Sequence, residues 1–212
     1  MGFTVNEEYF TAFIDACHHI ARHGLVLCSS GNLSFRIDDE LMLITATGTW
    51  LSEMNKDDIA VCRISDGKCL CGNDPSMELT FHRGILSQRK DVNVVLHFQA
   101  PFATAMACSK DVEYDRISVV AEIPYYIGPV SVVPYAPPGS TDLAAQVISA
   151  VHNHDLVVLK NHGQVTVGRT FQEAIQRAAY FELACSIYLR AADKLQTLEK
   201  EQIETLYAAR RA

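Results

Sequence analysis

Two pairs of apolar runs in this 212-residue chain are each joined by only three residues, and that spacing decides what kind of sheet the chain can build. Leu33-Ser34-Phe35-Arg36-Ile37 and Leu41-Met42-Leu43-Ile44-Thr45 flank the polar turn Asp38-Asp39-Glu40, while the runs 155–160 and 164–168 flank Asn161-His162-Gly163. Apolar runs bounded by such turn formers read as β-hairpins. A third strand over 59–64 closes on Ser65-Asp66-Gly67-Lys68. Hairpin neighbours are antiparallel, so a largely antiparallel sheet is expected.

Helical patterns lie between the strands. Asn6 is placed to cap a helix with Glu7 and Glu8 in its first turn, Phe10, Phe13, Ile14, Cys17 and Ile20 on one side, and Gly24 at its end. His18, His19 and His23 fall on or near its polar side and read as solvated. Pro75-Ser76 reads as the start of a second helix, with Ser76 as N-cap, Glu78 in the first turn and His82 four residues on, on the same face. A short helix follows Pro101, and Ser140-Thr141-Asp142 caps one running to about His152. Thr170-Phe171-Gln172-Glu173 is a capping box opening the longest helix, to about Ala192, and Thr197 can cap a last one to about Arg211. The stretch 119–139, rich in proline and glycine, reads as strand pieces joined by loops. The chain is therefore expected to be one α/β domain over 1–212, a mostly antiparallel central sheet layered by helices.

With 49% hydrophobic and 20% charged residues the chain is not disordered, and a formal charge of -7 leaves no basic stripe for nucleic acid or an anionic membrane surface. A small-molecule partner is more natural. No apolar run reaches the roughly 18 residues of a membrane span. The opening Met1-Gly2-Phe3-Thr4-Val5-Asn6 carries neither a basic targeting region nor a myristoylation signal, so a cytoplasmic protein is expected. The seven cysteines are scattered and odd in number, and read as reduced thiols. Cys69-Leu70-Cys71 lacks a second Cys/His pair at zinc-finger spacing and reads as part of a hairpin.

The chemistry-bearing residues stand at element ends. His97 closes the run Asn93-Val94-Val95-Leu96, and Gln99, two residues on, would point the same way in an extended chain. His162 sits at the tip of the second hairpin. Two loops of small residues, Ser29-Ser30-Gly31-Asn32 and Thr47-Gly48-Thr49, follow the same logic of turn chemistry. Taken singly, each has a plainer reading: a hydrogen-bonded core histidine, a turn amide, a glutamate placed against a helix dipole.

Taken in order, they resemble a known family. Gly31-Asn32-Leu33-Ser34-Phe35-Arg36, Thr45-Ala46-Thr47-Gly48, Pro75-Ser76-Met77-Glu78-Leu79-Thr80-Phe81-His82, Val95-Leu96-His97 with Pro101-Phe102-Ala103-Thr104-Ala105, Pro134-Tyr135-Ala136-Pro137-Pro138-Gly139-Ser140, and Asn161-His162-Gly163 with Gly168, Glu173-Ala174 and Glu182 span about residues 30 to 190. This set resembles the class II aldolase and adducin family, most closely its fuculose-phosphate aldolases. The resemblance implies an aldolase-type α/β domain, commonly a four-fold symmetric tetramer with active sites at subunit interfaces. It also implies one divalent metal per chain, usually zinc, held by three histidines. His97 and His162 match two of these; where the family places the third, this chain has Gln99. An amide oxygen is a poorer zinc ligand than imidazole, so Glu78 or water can complete the shell, or a harder ion such as manganese can be preferred.

By the same resemblance Glu78 is the acid/base carboxylate, and Gly31, Asn32, Thr47, Gly48 and Ser76 form a pocket for the substrate phosphate. Met77 replaces a second serine often found there. His82 is given no ligand's role and is read as structural. Tyr125 and Tyr126 lie in the region of the family's acidic tyrosine, without an assignment to either. The activity implied is metal-dependent cleavage of a ketose 1-phosphate, fuculose 1-phosphate foremost, into dihydroxyacetone phosphate and a small aldehyde. Alternatives are a pentose-phosphate 4-epimerase, a decarboxylase of a phosphorylated sugar acid, a thioribulose-phosphate dehydratase, or a non-catalytic adducin-like scaffold.

Overall fold

The structure, a computed structural model, describes residues 5–110, 112–191 and 194–211, the last without its side chain. The opening residues Met1–Thr4, read above for targeting signals, and Ala192, expected near the end of the longest helix, lie outside the described residues.

Both expected hairpins form. β1 (Asn32–Arg36) and β2 (Leu41–Thr45) pair antiparallel, as do β7 (Leu156–Leu159) and β8 (Gly163–Gly168). β3 (Ile59–Arg63) and the three-residue β4 (Cys69–Cys71) extend one side, and β5 (Val94–Phe98) lies between the hairpins, so the sheet runs β4-β3-β2-β1-β5-β8-β7-β6. β6 (Ser131–Val133) pairs parallel with β7, which makes the eight-stranded sheet mixed although mostly antiparallel.

Helices cover both faces. α1 (Glu7–Arg22), α3 (Pro101–Ala107) and α5 (Phe171–Ala191) pack through Phe13, Ile20, Met106 and Phe181 against Leu33, Leu96 and Phe98. α2 (Leu79–Gln88) and α4 (Thr141–Val151) pack through Phe81, Leu86, Leu143 and Val147 against Met42, Ile44, Val95 and Val165. The strand alternation is thus used twice: Val94, Leu96 and Phe98 face one layer, Val95 and His97 the other. α6 (Lys200–Arg211) packs against the turn Ile123–Ile127.

Three local expectations are corrected. Ser76 does not cap α2: Pro75 bridges to Ala46 and the Ser76 amide donates to the Thr45 carbonyl (3.0 Å), which holds Ser76 beside β2, and a turn over Met77 and Glu78, closed by the Leu79 amide on the Ser76 carbonyl (3.0 Å), leaves Glu78 at the N-cap position. Of the 119–139 stretch only Ser131–Val133 is a strand; Ile123–Ile127 forms a single π-type turn, with Gly128 (φ 81°) closing it through its amide to the Ile123 carbonyl. His18 is half-buried, not solvated, and one ring nitrogen lies 3.1 Å from the Met54 carbonyl. β1 alternates apolar and polar residues, and its Asn32, Ser34 and Arg36 are all buried, because α2 lies on that face and partners them through His82 and the Leu86 carbonyl.

Candidate active site

β5 brings the first imidazole into place. His97 stands opposite Asn32 of β1 and Val165 of β8, so both neighbouring strands fix its height in the sheet. Gly31 makes that pairing close. Its φ is 77°, and a Cβ there would fall 2.7 Å from the His97 carbonyl oxygen, so the position needs both the left-handed backbone and the missing side chain. The β7–β8 turn carries His162, preceded by Asn161 in the left-handed region (φ 54°). A Cβ on Gly163 would meet the His97 ring at 3.1 Å, so this glycine gives the imidazole its room.

Glu78, at the start of α2, reaches between the two rings. Its Oε2 lies 3.6 Å from His97 Nε2 and its Oε1 3.6 Å from His162 Nε2. The His97 Nδ1 lies 2.9 Å from the Gln164 carbonyl, which can only accept; Nδ1 is therefore a donor there, and Nε2 is the nitrogen that faces Glu78. Burial pushes His162 below the usual imidazole range, and neighbouring His97 adds to this against the opposing pull of Glu78. Burial also raises Glu78, but the charge of His97, the amide of Asn32 and the charge of His162 outweigh it and hold the carboxyl below its ordinary value. A buried carboxylate held toward its ionised form, flanked by two imidazoles, is the result.

This donor set fits a divalent cation. One atom each from Glu78, His97 and His162 lie within 4.8 Å of one another, and among the described residues Glu78 Oε1 and His162 Nδ1 are buried without a hydrogen-bond partner. Two imidazole nitrogens and a carboxylate suit zinc or manganese alike.

Behind the carboxylate runs a buried hydrogen-bond chain. Asn32 Nδ2 donates to Glu78 Oε2 (2.9 Å), Asn32 Oδ1 lies 2.5 Å from His82 Nε2, and His82 Nδ1 lies 2.7 Å from Ser34 Oγ. His82 is fully buried; burial, opposed by the charge of Glu78 and aided by His97, lowers it to about 3, so the ring is neutral.

The residues marked for metal, base and phosphate line one cavity of about 320 Å³. Gly31, Asn32, Thr47, Gly48 and Ser76 form one side, and Glu78, His97, Gln99 and His162 the other. Ser76 Oγ accepts from the Glu78 amide (3.3 Å), a turn contact in place of the helix cap. Gln99 follows the end of β5, held by its amide to the Leu25 carbonyl (3.0 Å), and lines the cavity beside His97. Met77 is exposed at the rim. Tyr125 and Tyr126, in contrast, line a different cavity, at the other end of the β5, β7 and β8 strands. There Arg89, Arg177 and Arg210 converge on Asp155, at 2.9 Å and 3.0 Å for the first two, so the charges of that cavity largely satisfy one another.

Residues 11–189 match the family model of the class II aldolase and adducin N-terminal domain, a span that contains every residue of the cavity. The chain belongs to the class II aldolase and adducin family. Class II aldolases use a divalent metal, and the Glu78, His97 and His162 cluster is where this member can hold one. The chain is similar to the L-fuculose phosphate aldolase of Methanococcus maripaludis, 34% identical over 170 residues that cover 80% of this chain and 90% of the relative. It is also similar to the 3-oxo-tetronate 4-phosphate decarboxylase of Haemophilus influenzae, 26% identical over 86% of this chain and 88% of that one. A solved L-fuculose 1-phosphate aldolase superposes with a TM-score of 0.86 at 25% identity, over 98% of each chain. Lyase chemistry is common to these class II relatives, whose substrates differ.

Among the described residues no helix is long and apolar enough to cross a membrane. What sequence reasoning missed is His82. Its partners Ser34 and Asn32 are 48 and 50 residues away, and the one available signal was their place on the polar side of β1.

Proposed function

We propose that this protein is a metal-dependent aldolase that cleaves a ketose 1-phosphate, L-fuculose 1-phosphate for preference, into dihydroxyacetone phosphate and a small aldehyde. The observation that carries the reading is the Glu78 carboxylate, ionised, buried, and 3.6 Å from the Nε2 atoms of both His97 and His162. In the direction of condensation Glu78 takes the proton from the carbon beside the ketone, leaving the C–H electron pair on that carbon; in cleavage it gives the proton back. His97 and His162 hold the divalent ion, zinc in first place, with Gln99 beside them as a further oxygen donor. When bound, the ion supplies positive charge for the oxygens flanking the carbon that loses its proton.

The small-residue side of the cavity takes the phosphate. Backbone amides around Gly31 and Gly48, with the hydroxyls of Thr47 and Ser76, suit an anion, and Asn32 keeps one amide proton for it after serving Glu78. A cytoplasmic homotetramer acting on a phosphorylated sugar is the setting this reading expects. The similarity to a 3-oxo-tetronate 4-phosphate decarboxylase supports a second reading, release of carbon dioxide from a phosphorylated sugar acid at the same site.

Incubating the zinc-loaded protein with L-fuculose 1-phosphate and following dihydroxyacetone phosphate through a coupled reductase tests the first reading. Carbon dioxide released from a 3-oxo acid phosphate, with no cleavage of any ketose 1-phosphate, would establish the second in its place. Absence of turnover on both substrate classes would leave a scaffold.

A further inference from the structure

We propose that His82 is a positioning residue: through Asn32 it anchors Glu78 Oε2 and so leaves Oε1 as the single oxygen that carries the substrate's proton. The proposal rests on Glu78 being the base, with the ion held by His97, His162 and Gln99 and not by Glu78 Oε1. Its own support is the direction of the buried hydrogen bonds.

A carboxylate oxygen accepts only, so the Asn32 atom 2.9 Å from Glu78 Oε2 is the NH₂ group, and its carbonyl oxygen faces His82. That carbonyl also accepts only. His82 Nε2, 2.5 Å away, must therefore bear the ring's hydrogen, since a fully buried ring whose two partners are an uncharged amide and an uncharged hydroxyl carries only one. The bare Nδ1 then takes the hydroxyl hydrogen of Ser34 at 2.7 Å. Every hydrogen in the row points toward Glu78. The reverse arrangement, with His82 protonated on Nδ1, would turn the Asn32 carbonyl onto the carboxylate, oxygen against oxygen in a buried place. Tautomer and amide orientation are one linked choice, and Ser34, His82 and Asn32 settle it together.

The consequence is an asymmetric carboxylate. Oε2 is held by the Asn32 amide, whereas Oε1 is buried with no hydrogen-bond partner among the described residues. A proton arriving from carbon adds where a lone pair is free and where it displaces no existing donor, which is Oε1, on the His162 side. The bond from carbon to hydrogen breaks, the electron pair stays on carbon, and the Oε1–H bond forms; the same atoms move back in the other direction. Because Asn32 remains on Oε2 throughout, the base does not rotate between turnovers.

The first measurement needs no variant. Selective ¹⁵N-histidine labelling of the full-length, zinc-loaded protein should show His82 as the neutral tautomer with hydrogen on Nε2 at neutral pH. A hydrogen on Nδ1, or a charged ring, overturns the proposal. The second compares His82→Leu with His82→Gln, which restores a neutral N–H donor near the Nε2 position. For the zinc-loaded enzyme His82→Leu should lower kcat at least ten-fold, with KM changed less than three-fold and zinc content unchanged, and His82→Gln should recover much of the loss. Folded His82→Leu protein with the parent's kcat overturns the proposal as well. Glu78→Gln separates the two ideas: if that variant is active the base itself is misassigned, whereas an inactive Glu78→Gln beside a fully active His82→Leu defeats only the positioning role.

Discussion

Asn32 and His97 face each other across the β1–β5 pair, so a single rung of the sheet carries both the amide that holds Glu78 and an imidazole that flanks it. A register shift of one residue between the two strands would turn one of them to the opposite layer and separate the pair. Gly31, next to this rung, has no room for a Cβ beside the His97 carbonyl.

Gly31→Ala should therefore destabilise the protein by about 2 kcal/mol or more, combining a strained backbone with a steric clash. Urea unfolding of parent and variant measures it. A variant of equal stability would mean that the β1–β5 spacing is not as close as described.

His97 and His162 should account for metal retention. The purified parent is expected to hold about one divalent ion per chain, and the His97→Ala/His162→Ala double variant none after dialysis against a chelator. Elemental analysis decides; a double variant that retains its ion would move the metal elsewhere.

Glu78→Gln keeps the shape and the Asn32 contact while removing the base. Turnover of a ketose 1-phosphate should fall by about 10²–10⁴. Circular dichroism and metal content near the parent's would assign the loss to proton transfer. An active variant would end the mechanism.

Gln99→His tests the residue at which this chain departs from its family. With Gln99 lining the cavity beside His97, the added imidazole should raise zinc affinity by about ten-fold or more in chelator competition. Unchanged affinity in a folded variant would mean that position 99 does not face the ion.

His82 makes stability pH-dependent with a definite sign. Its native pKa is about 3, against 6.5 for an ordinary histidine, so below pH 6.5 the unfolded chain binds a proton that the native protein does not. Its stabilising contribution is complete above pH 6.5 and is lost as the pH falls toward 3, at about 1.4 kcal/mol per pH unit. Urea titrations of the parent should show this slope, and His82→Gln should flatten it by that amount. Equal slopes would mean that His82 is protonated in the native state.

The hairpins, the layered architecture and the residues of the cavity were legible in the sequence because each rests on local pattern or on an ordered motif. Other features depend on contacts that local pattern does not carry. Ser76 has the chemistry of a helix cap, yet the pairing of Pro75 with Ala46 keeps it extended. The burial of Asn32, Ser34 and Arg36 depends on a helix about 50 residues later that covers them. The partnership of Ser34, His82 and Asn32 needed strand and helix together, and for that reason the hydrogen bonds of His82 were not legible in the sequence.

That covered face of β1 also governs how α2 is held. Greasy surfaces let a helix slip along a sheet by part of a turn at small cost, since one methyl group replaces another. Here the attachment points are discrete. His82 meets Ser34 and Asn32, and Arg36 reaches the carbonyls of Leu86, Arg89 and Val92 at and beyond the helix's far end. Sliding α2 in either direction would strand a buried guanidinium and a buried imidazole at once. The helix is keyed to its strand at both ends, so Glu78 inherits its place from a latch more than 10 residues long.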